Sequence, residues 1–211
     1  MVRTCVVKKF IIGKCINYIK KNTNYDSKKL AEIKYGLEGL FLTYSKLIII
    51  SILAIVLGIF KEMIVYMLIY NIIRMPSFGL HATKSWICLV SSSILFIGIP
   101  YLCIYLNIPL IIKIVISIIG TLLMLKNAPA DTKKRPIVNK KRRRIYKLLS
   151  MVISLTFGIL SIFIKNDFIS NCFCLAIIMQ NFMIAPLIYR IFKLPYNNYI
   201  QFLKDHPDFI S

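Results

Sequence analysis

The sequence predicts an all-α integral membrane protein with six transmembrane helices, cytoplasmic N- and C-termini and an amphipathic N-terminal helix. Hydrophobic residues make up 58% of the 211 positions, whereas a soluble domain usually carries about 45–50%. The chain has 28 lysines and arginines against 8 acidic residues. These basic residues lie between the apolar runs, as expected of cytoplasmic loops beside anionic lipid headgroups. This placement favours a lipid bilayer, and not nucleic acid, as the partner of the positive charge.

The first 34 residues are predicted to be an amphipathic interfacial segment, with a surface helix over residues 2–19. Lys8, Lys9 and Lys14 interrupt any apolar run long enough for a signal peptide. Neither end of the chain carries a lipidation motif. At the other end, residues 191–211 are predicted to be a second interfacial segment, because apolar and polar residues alternate there at helical spacing.

Six apolar segments within residues 37–190 are predicted to cross the membrane as one bundle. In chain order they are 37–60, 62–75, 85–106, 108–125, 148–165 and 168–190. The second is short, because a hydrocarbon core of about 30 Å needs about 20 helical residues. A re-entrant segment is therefore the alternative for residues 62–75.

The distribution of charge predicts which loops face the cytoplasm. Residues 1–36 contain nine lysines and arginines, and the connection 126–147 contains ten. Because cytoplasmic segments carry the excess of lysine and arginine, both belong inside. An even number of spans must then separate them, which favours counting residues 62–75 as a span.

The stretch RMPSFGLHATKSWICLV, residues 74–90, contains the residue types of a cysteine protease. His81 is one of two histidines in the chain, and Cys88 follows seven positions later. In such enzymes the imidazole takes the thiol proton and activates the sulfur. An ordinary helix boundary that happens to contain both residues is the alternative.

The spacing of this pair predicts a break in the helix. On one continuous helix, residues seven apart lie about 10 Å apart along the axis, but a direct hydrogen bond needs about 3 Å. Pro76 and Gly79 are expected to supply the break. Cys88 would then lie in the first turns of the third span, where the helix N-terminus favours a thiolate, and His81 on the preceding loop.

Other polar residues are predicted at the same cytoplasmic level. Glu38 and Asp131 are candidates to orient the imidazole of His81, and Arg74 and Gly79 are candidates for orientation or substrate binding. Pairing with Arg74, or snorkelling, is the alternative for the two carboxylates. The six cysteines show neither a disulfide framework nor a zinc pattern, so no metal or cofactor is expected.

Three motifs together resemble the AgrB family, the accessory gene regulator B membrane peptidases. FGLHA at 78–82 with Cys88 resembles the family's active-site segment. NAPADTKKRPI at 127–137 resembles its loop motif, and YGLEGL at 35–40 is similar to the entry to its first span. Many members carry a Gly-Gly pair before the histidine, whereas this chain keeps only Gly79. The resemblance covers nearly the whole chain.

The resemblance implies a membrane cysteine endopeptidase of the bacterial plasma membrane that takes part in quorum sensing. The implied substrate is a small AgrD-like pro-peptide, cleaved at the cytoplasmic face with Cys88 as nucleophile and His81 as general base. The acyl-enzyme is then expected to cyclise to a thiolactone or lactone, and a homodimer is also implied. Lys133, Lys134 and Arg135 would attract an acidic peptide tail or anionic lipid. A non-enzymatic peptide permease or membrane adaptor is the alternative.

Overall fold

A computed structural model of the chain describes residues 2–23, 25–80, 85–132 and 136–205. The regular secondary-structure elements within these ranges are all helices, and Phe78 and Ala130 form an isolated parallel β-bridge. The predicted all-α class is therefore confirmed. The chain divides into two compact units, Met1–Val56 and Leu57–Ser211.

The N-terminal unit is a pair of packed helices, α1 (Val2–Asn22) and α2 (Ser27–Val56). Asp26 precedes α2, and its carboxylate accepts a hydrogen bond from the N–H of the first helical residue, Ser27, at 2.6 Å. The predicted first span, 37–60, therefore starts within α2 and runs past the end of this helix at Val56. The helix starts in the polar residues before the apolar run, and it ends before Gly58, whose φ of +71° leaves the helical region.

The second unit contains the remaining helices. They are α3 (Phe60–Ser77), α4 (Ser85–Ser93), α5 (Ile99–Tyr105), α6 (Leu110–Asn127), α7 (Lys140–Phe163), α8 (Asp167–Ile184), α9 (Pro186–Ile191) and α10 (Asn198–Asp205). A π-helical turn, Ile94–Gly98, joins α4 to α5. Pro100 explains this wider turn, because proline has no N–H to donate and its ring would clash with the carbonyl four residues earlier.

Helix α8 is the centre of this unit, because it packs against α3, α5, α6 and α7. Its polar side chains turn inward and bind backbone carbonyls of neighbouring helices. Asn171 donates to the carbonyls of Cys103 and Leu106, and Asn181 donates to that of Gly120. Hydrogen bonds of this kind hold helices together in lipid, where water cannot replace them.

Helices α6 and α7 approach closely through small residues. Ser150, Ser154, Gly158 and Ser161 form a buried stripe on α7. A Cβ placed on Gly158 would lie 2.7 Å from the Cβ of Ser117 on α6. The hydroxyls of Thr121 and Ser154 also bond across the interface at 3.1 Å. Small residues are the usual means by which membrane helices come into contact.

The sixth predicted span, 168–190, is interrupted. Helix α8 ends at Ile184, Ala185 is extended (φ −65°, ψ 129°), and the short helix α9 begins at Pro186. The cause is Pro186, since a residue that precedes proline is driven out of the helical region. The prediction was therefore wrong about the continuity of this segment.

Five helical stretches in the described part of the chain are long and apolar enough to cross a membrane: Ser27–Val56, Trp86–Tyr105, Leu110–Asn127, Lys140–Phe163 and Asp167–Ile184. The chain is therefore a multi-pass membrane protein. Helix α3 is not among them, because it carries Lys61, Glu62 and Arg74. It is nevertheless rich in buried residues, among them Tyr66 and Tyr70, whose rings stack 5.9 Å apart.

Candidate functional site

The candidate site begins where α3 ends. The helix continues through Pro76 to Ser77, so Pro76 does not break it as predicted. Ser77 holds the last turn through its hydroxyl, which donates to the Ile73 carbonyl at 2.5 Å. The break comes at Phe78 (φ +58°) and Gly79 (φ +119°). Gly79 is thus confirmed as a breaker. Pro76 lies inside the helix, where it lacks the N–H that would donate to the Ile72 carbonyl, and the helix continues past it to Ser77.

The loop after α6 is paired to this turn by its backbone. The N–H of Ala130 donates to the Ser77 carbonyl at 3.0 Å, and the Ala130 carbonyl accepts from the Gly79 N–H at 3.1 Å. The resulting bridge joins the two motifs that the sequence analysis singled out, residues 78–82 and 127–137. Ala130 is itself 2% exposed, so the bridge is buried.

Helix α8 holds the same turn from its other side. Gln180 donates from Nε2 to the Phe78 carbonyl at 2.8 Å, and its buried Oε1 has no hydrogen-bond partner among the described residues. The ring of Phe78 lies edge-on to that of Tyr146 at 5.2 Å. Phe78 is a non-glycine residue with positive φ, a conformation that costs about 1–3 kcal/mol and is found where surrounding contacts enforce it.

Leu80, the residue immediately before His81, is held at both of its backbone polar groups. Its N–H donates to the Met183 carbonyl at 3.2 Å. Its carbonyl accepts from Nη2 of Arg74 at 3.2 Å, while Nη1 of Arg74 donates to the Tyr70 hydroxyl, also at 3.2 Å. Arg74 is therefore placed against the backbone that leads into His81.

Cys88 lies in the first turns of α4, as predicted, and is half-buried. It differs in this from Cys103, Cys172 and Cys174, which are buried at 1% exposure or less. Cys15 is the exposed cysteine of the N-terminal unit. All five thiols are free. Cys88 therefore lies close to a helix N-terminus and is less buried than the other cysteines of the second unit.

Four of the predicted residues lie outside the described residues: His81, Lys133, Lys134 and Arg135. The distance between His81 and Cys88 therefore stays a prediction, as does the role of the three basic residues. Glu38 lies half-buried on α2, in the N-terminal unit. Its role in orienting an imidazole also stays a prediction.

Asp131 is buried and faces the C-terminal segment. Its Oδ1 accepts from the Asn198 N–H at 3.1 Å and its Oδ2 from the Tyr199 N–H at 2.8 Å, both at the start of α10. Nη1 of Arg143 lies 3.8 Å from Oδ2. Among the described residues, both carboxylate oxygens of Asp131 thus accept hydrogen bonds from backbone N–H groups.

Several residues that shape this site were not predicted from the sequence, namely Gln180, Met183, Arg143, Tyr199 and Asn198. Gln180 could have been identified from the sequence, since a glutamine within an apolar span is expected to face a hydrogen-bond partner. Met183 could not, because it contributes its backbone carbonyl and not its side chain. In the described part of the chain, no group of three histidine, cysteine or acidic residues is placed to hold a metal ion.

Comparison with known proteins agrees with the motifs joined at this turn. The profile of the family described as accessory gene regulator B matches residues 12–184. A protein described as AgrB-like from Clostridium acetobutylicum is 29% identical over 184 residues, covering 87% of this chain and 88% of its own. The accessory gene regulator protein B of Staphylococcus aureus strain Newman is 31% identical over 180 residues, covering 84% and 93%. No solved structure matches. With its motifs, its membrane helices and this extent of similarity, the chain belongs to the accessory gene regulator B family.

Proposed function

We propose that the protein is a membrane cysteine endopeptidase that cleaves a small AgrD-like pro-peptide at the cytoplasmic face and cyclises it. Cys88 is the nucleophile, and His81 is the general base and then the general acid. The family supports a role in quorum sensing, since its described members are accessory gene regulators. Cleavage and cyclisation of the pro-peptide are steps that we propose in addition.

The observation that carries the proposal is the fixed backbone in front of His81. Leu80 is bonded on both sides, to Met183 and to Arg74, and Phe78 is held with a positive φ. A general base must be held within about half an ångström of its working position to be effective. A turn anchored by α3, α8 and the loop after α6 supplies such support, which an ordinary helix boundary does not need.

The reaction has two steps. In the first, the thiolate of Cys88 attacks the scissile carbonyl, and the released C-terminal fragment takes a proton from His81 as its amine leaves. In the second, a thiol or hydroxyl within the acylated peptide gives its proton to His81 and attacks the thioester. Cys88 is freed, and the peptide closes to a thiolactone or lactone. A site from which water is largely excluded disfavours hydrolysis of the thioester.

The membrane arrangement is also part of the proposal. We propose that α3 also crosses the membrane, which brings the number of spans to six. The two basic segments, 1–36 and 126–147, and both termini then lie on the cytoplasmic side. The 18 residues of α3 extend about 27 Å at 1.5 Å per residue, close to the thickness of a bilayer core. Lys133, Lys134 and Arg135 then face the cytoplasm, where they would attract an acidic peptide tail. The homodimer implied by the resemblance stays a prediction.

The decisive experiment uses the chain in membrane vesicles with the pro-peptide encoded by a short reading frame beside its gene. Cys88→Ala and His81→Ala should each abolish cleavage, because either change removes the activated nucleophile. Cys15→Ala is the matched control, since it removes an exposed free thiol elsewhere, and it should cleave normally. Mass spectrometry should find an acyl adduct on Cys88 in the wild type. Normal cleavage by either of the first two variants would refute the proposal.

The same experiment separates the non-enzymatic alternative. A permease or adaptor would move or bind the pro-peptide with no covalent adduct, and Cys88→Ala would leave that activity intact. Uptake of the labelled pro-peptide by vesicles containing the Cys88→Ala variant therefore measures the alternative directly.

A further inference from the structure

The C-terminal segment is attached to the loop after α6 by a cluster of polar contacts around Asp131. We call this cluster the tail clamp and define it by Asp131, Arg143, Asn198 and Tyr199. The family profile ends at residue 184, before the segment begins. The contacts of the clamp are therefore a property of this chain's structure that the family match does not describe.

The clamp is built on a buried carboxylate. The side chain of Asp131 is 1% exposed, and three backbone N–H groups donate to it, those of Asn198, Tyr199 and Ile137, the last at 3.4 Å. The carbonyl of Asp131 also accepts from Nδ2 of Asn198 at 3.3 Å. A buried charge needs such partners, because leaving it unpaired costs several kcal/mol. The docked C-terminal segment thus supplies hydrogen-bond donors that offset the free-energy cost of burying the Asp131 carboxylate.

Arg143 closes the clamp from the side of α7. Its guanidinium lies 3.6 Å from the centre of the Tyr199 ring, and its Nη1 lies 3.8 Å from Oδ2 of Asp131. A cation held over an aromatic ring and beside a carboxylate is stabilised by both. One arginine therefore joins α7, the loop and α10.

A second contact lies beside the clamp. The hydroxyl of Tyr196 donates to the carbonyl of Asn127 at 3.3 Å. Burial raises the pKa of the Tyr196 hydroxyl above its ordinary value. The tail is thus fixed to both ends of the segment 127–131.

The clamp leads directly to the candidate site. Asp131 is the neighbour of Ala130, whose N–H and carbonyl are bonded to Ser77 and Gly79. The next residue after Gly79 is Leu80, which precedes His81. The path from the tail to the turn therefore runs from the half-buried Tyr199 to Asp131, from Asp131 to Ala130 along the chain, and from Ala130 to Gly79. Asp131 and Ala130 are each 2% exposed.

We propose that the C-terminal segment is a positioning element of the site, and that Asp131 acts on His81 indirectly, by holding Ala130 against the turn at residues 77–80. In this proposal Asp131 is a positioning residue. The catalytic part of this inference rests on the proposed function. The mechanical part, that the tail holds the turn, does not.

The test compares Asp131→Ala and Tyr199→Leu with the wild type and with Tyr199→Phe. The phenylalanine variant is the matched control, because it keeps the ring beneath Arg143. The first measurement is amide hydrogen exchange of the full-length protein in lipid nanodiscs. In Asp131→Ala and Tyr199→Leu, exchange at Gly79 and Ala130 should rise by about tenfold, since the bonds that protect these amides open more often. In Tyr199→Phe it should not change.

The second measurement is cleavage of the pro-peptide. The same two variants should lower kcat by about tenfold and change KM by less than about threefold, because misplacement of a catalytic group affects the reaction more than binding. The pH at which the rate is half-maximal should also move, whereas loss of folded protein alone would lower the amplitude and leave that pH unchanged.

Each outcome decides a different part of the proposal. Unchanged exchange at Gly79 and Ala130 in Asp131→Ala overturns the mechanical link, and raised exchange with unchanged kcat overturns the positioning of His81. If Asp131→Ala does not fold, Tyr199→Leu, which leaves the carboxylate in place, decides alone. If the wild type shows no cleavage, the proposed function fails, while the exchange measurements still show whether the tail holds the turn.

Discussion

Gly79 adopts a φ of +119°, and a Cβ at this position would lie 3.1 Å from the carbonyl oxygen of Met183. Both the backbone angle and the closeness of α8 therefore require glycine here. We expect Gly79→Ala to lower the free energy of unfolding by about 1–3 kcal/mol, since an L residue is strained at this angle. Because the turn leads into His81, cleavage should fall by roughly tenfold. Thermal unfolding in detergent and the cleavage rate measure the two effects.

Gly39→Ala is the control for this substitution. Gly39 lies on α2, and a Cβ there would meet nothing within 4 Å. The variant should therefore keep both its stability and its cleavage rate. If Gly79→Ala behaved like Gly39→Ala, the turn would be more adaptable than its contacts imply.

The residues of the site were predictable to different degrees. Gly79, Arg74 and Asp131 could be found from the sequence, because a helix breaker and charges beside apolar runs are locally visible. Their partners could not be found. Gln180 binds the Phe78 carbonyl across 102 positions of sequence, and the carbonyl of Met183 carries no side-chain signal. Local patterns do not specify which backbone groups meet when helices pack.

At the scale of elements, hydropathy located the helices but not their ends. The predicted spans matched α3 through α6 to within two residues at each end, since apolar runs of this length form helices in lipid. Helix α7 begins at Lys140, before the predicted start at 148. Helix α2 instead begins in the polar residues after Asp26, because a helix can continue beyond the bilayer. Helix α8 stops at Ile184 because of Pro186, a signal that was present in the sequence and outweighed by the surrounding apolar residues.

The contact between α6 and α7 gives a prediction at this scale. A Cβ on Gly158 would lie 2.7 Å from the Cβ of Ser117 and 2.9 Å from its Oγ, so the two helices would have to separate. We expect Gly158→Ala to destabilise the second unit by about 1–3 kcal/mol, as overpacking of a close-packed interior does. Thermal unfolding of the protein in detergent measures the effect.

Gly98→Ala is the matched control for this contact. A Cβ at Gly98 would lie 3.9 Å from Cγ2 of Ile94, an ordinary van der Waals distance. We expect its unfolding midpoint to stay close to that of the wild type. Equal midpoints for Gly158→Ala and Gly98→Ala would mean that the α6–α7 interface relaxes at little cost.

At the scale of the whole molecule, the status of α3 determines the membrane topology. If α3 crosses the bilayer, four spans separate the basic segments 1–36 and 126–147, and both face the cytoplasm. If α3 does not cross, three spans separate them, and one strongly basic segment must lie outside. The excess of lysine and arginine on cytoplasmic loops opposes the second arrangement. Burial of Tyr66 and Tyr70 is compatible with either, because a re-entrant helix is also covered by protein.

Single cysteines labelled with a membrane-impermeant thiol reagent distinguish these arrangements. Asn107 and Lys140 are exposed and lie at opposite ends of the segment that contains α6. With Cys15 and Cys88 replaced by serine to remove the exposed and the half-buried thiol, Asn107→Cys should react in intact cells, and Lys140→Cys should react only after permeabilisation. A topology without α3 reverses both results, since every later segment changes side. Labelling of Lys140→Cys in intact cells would therefore exclude a cytoplasmic loop at 126–147, and with it a cytoplasmic site for cleavage.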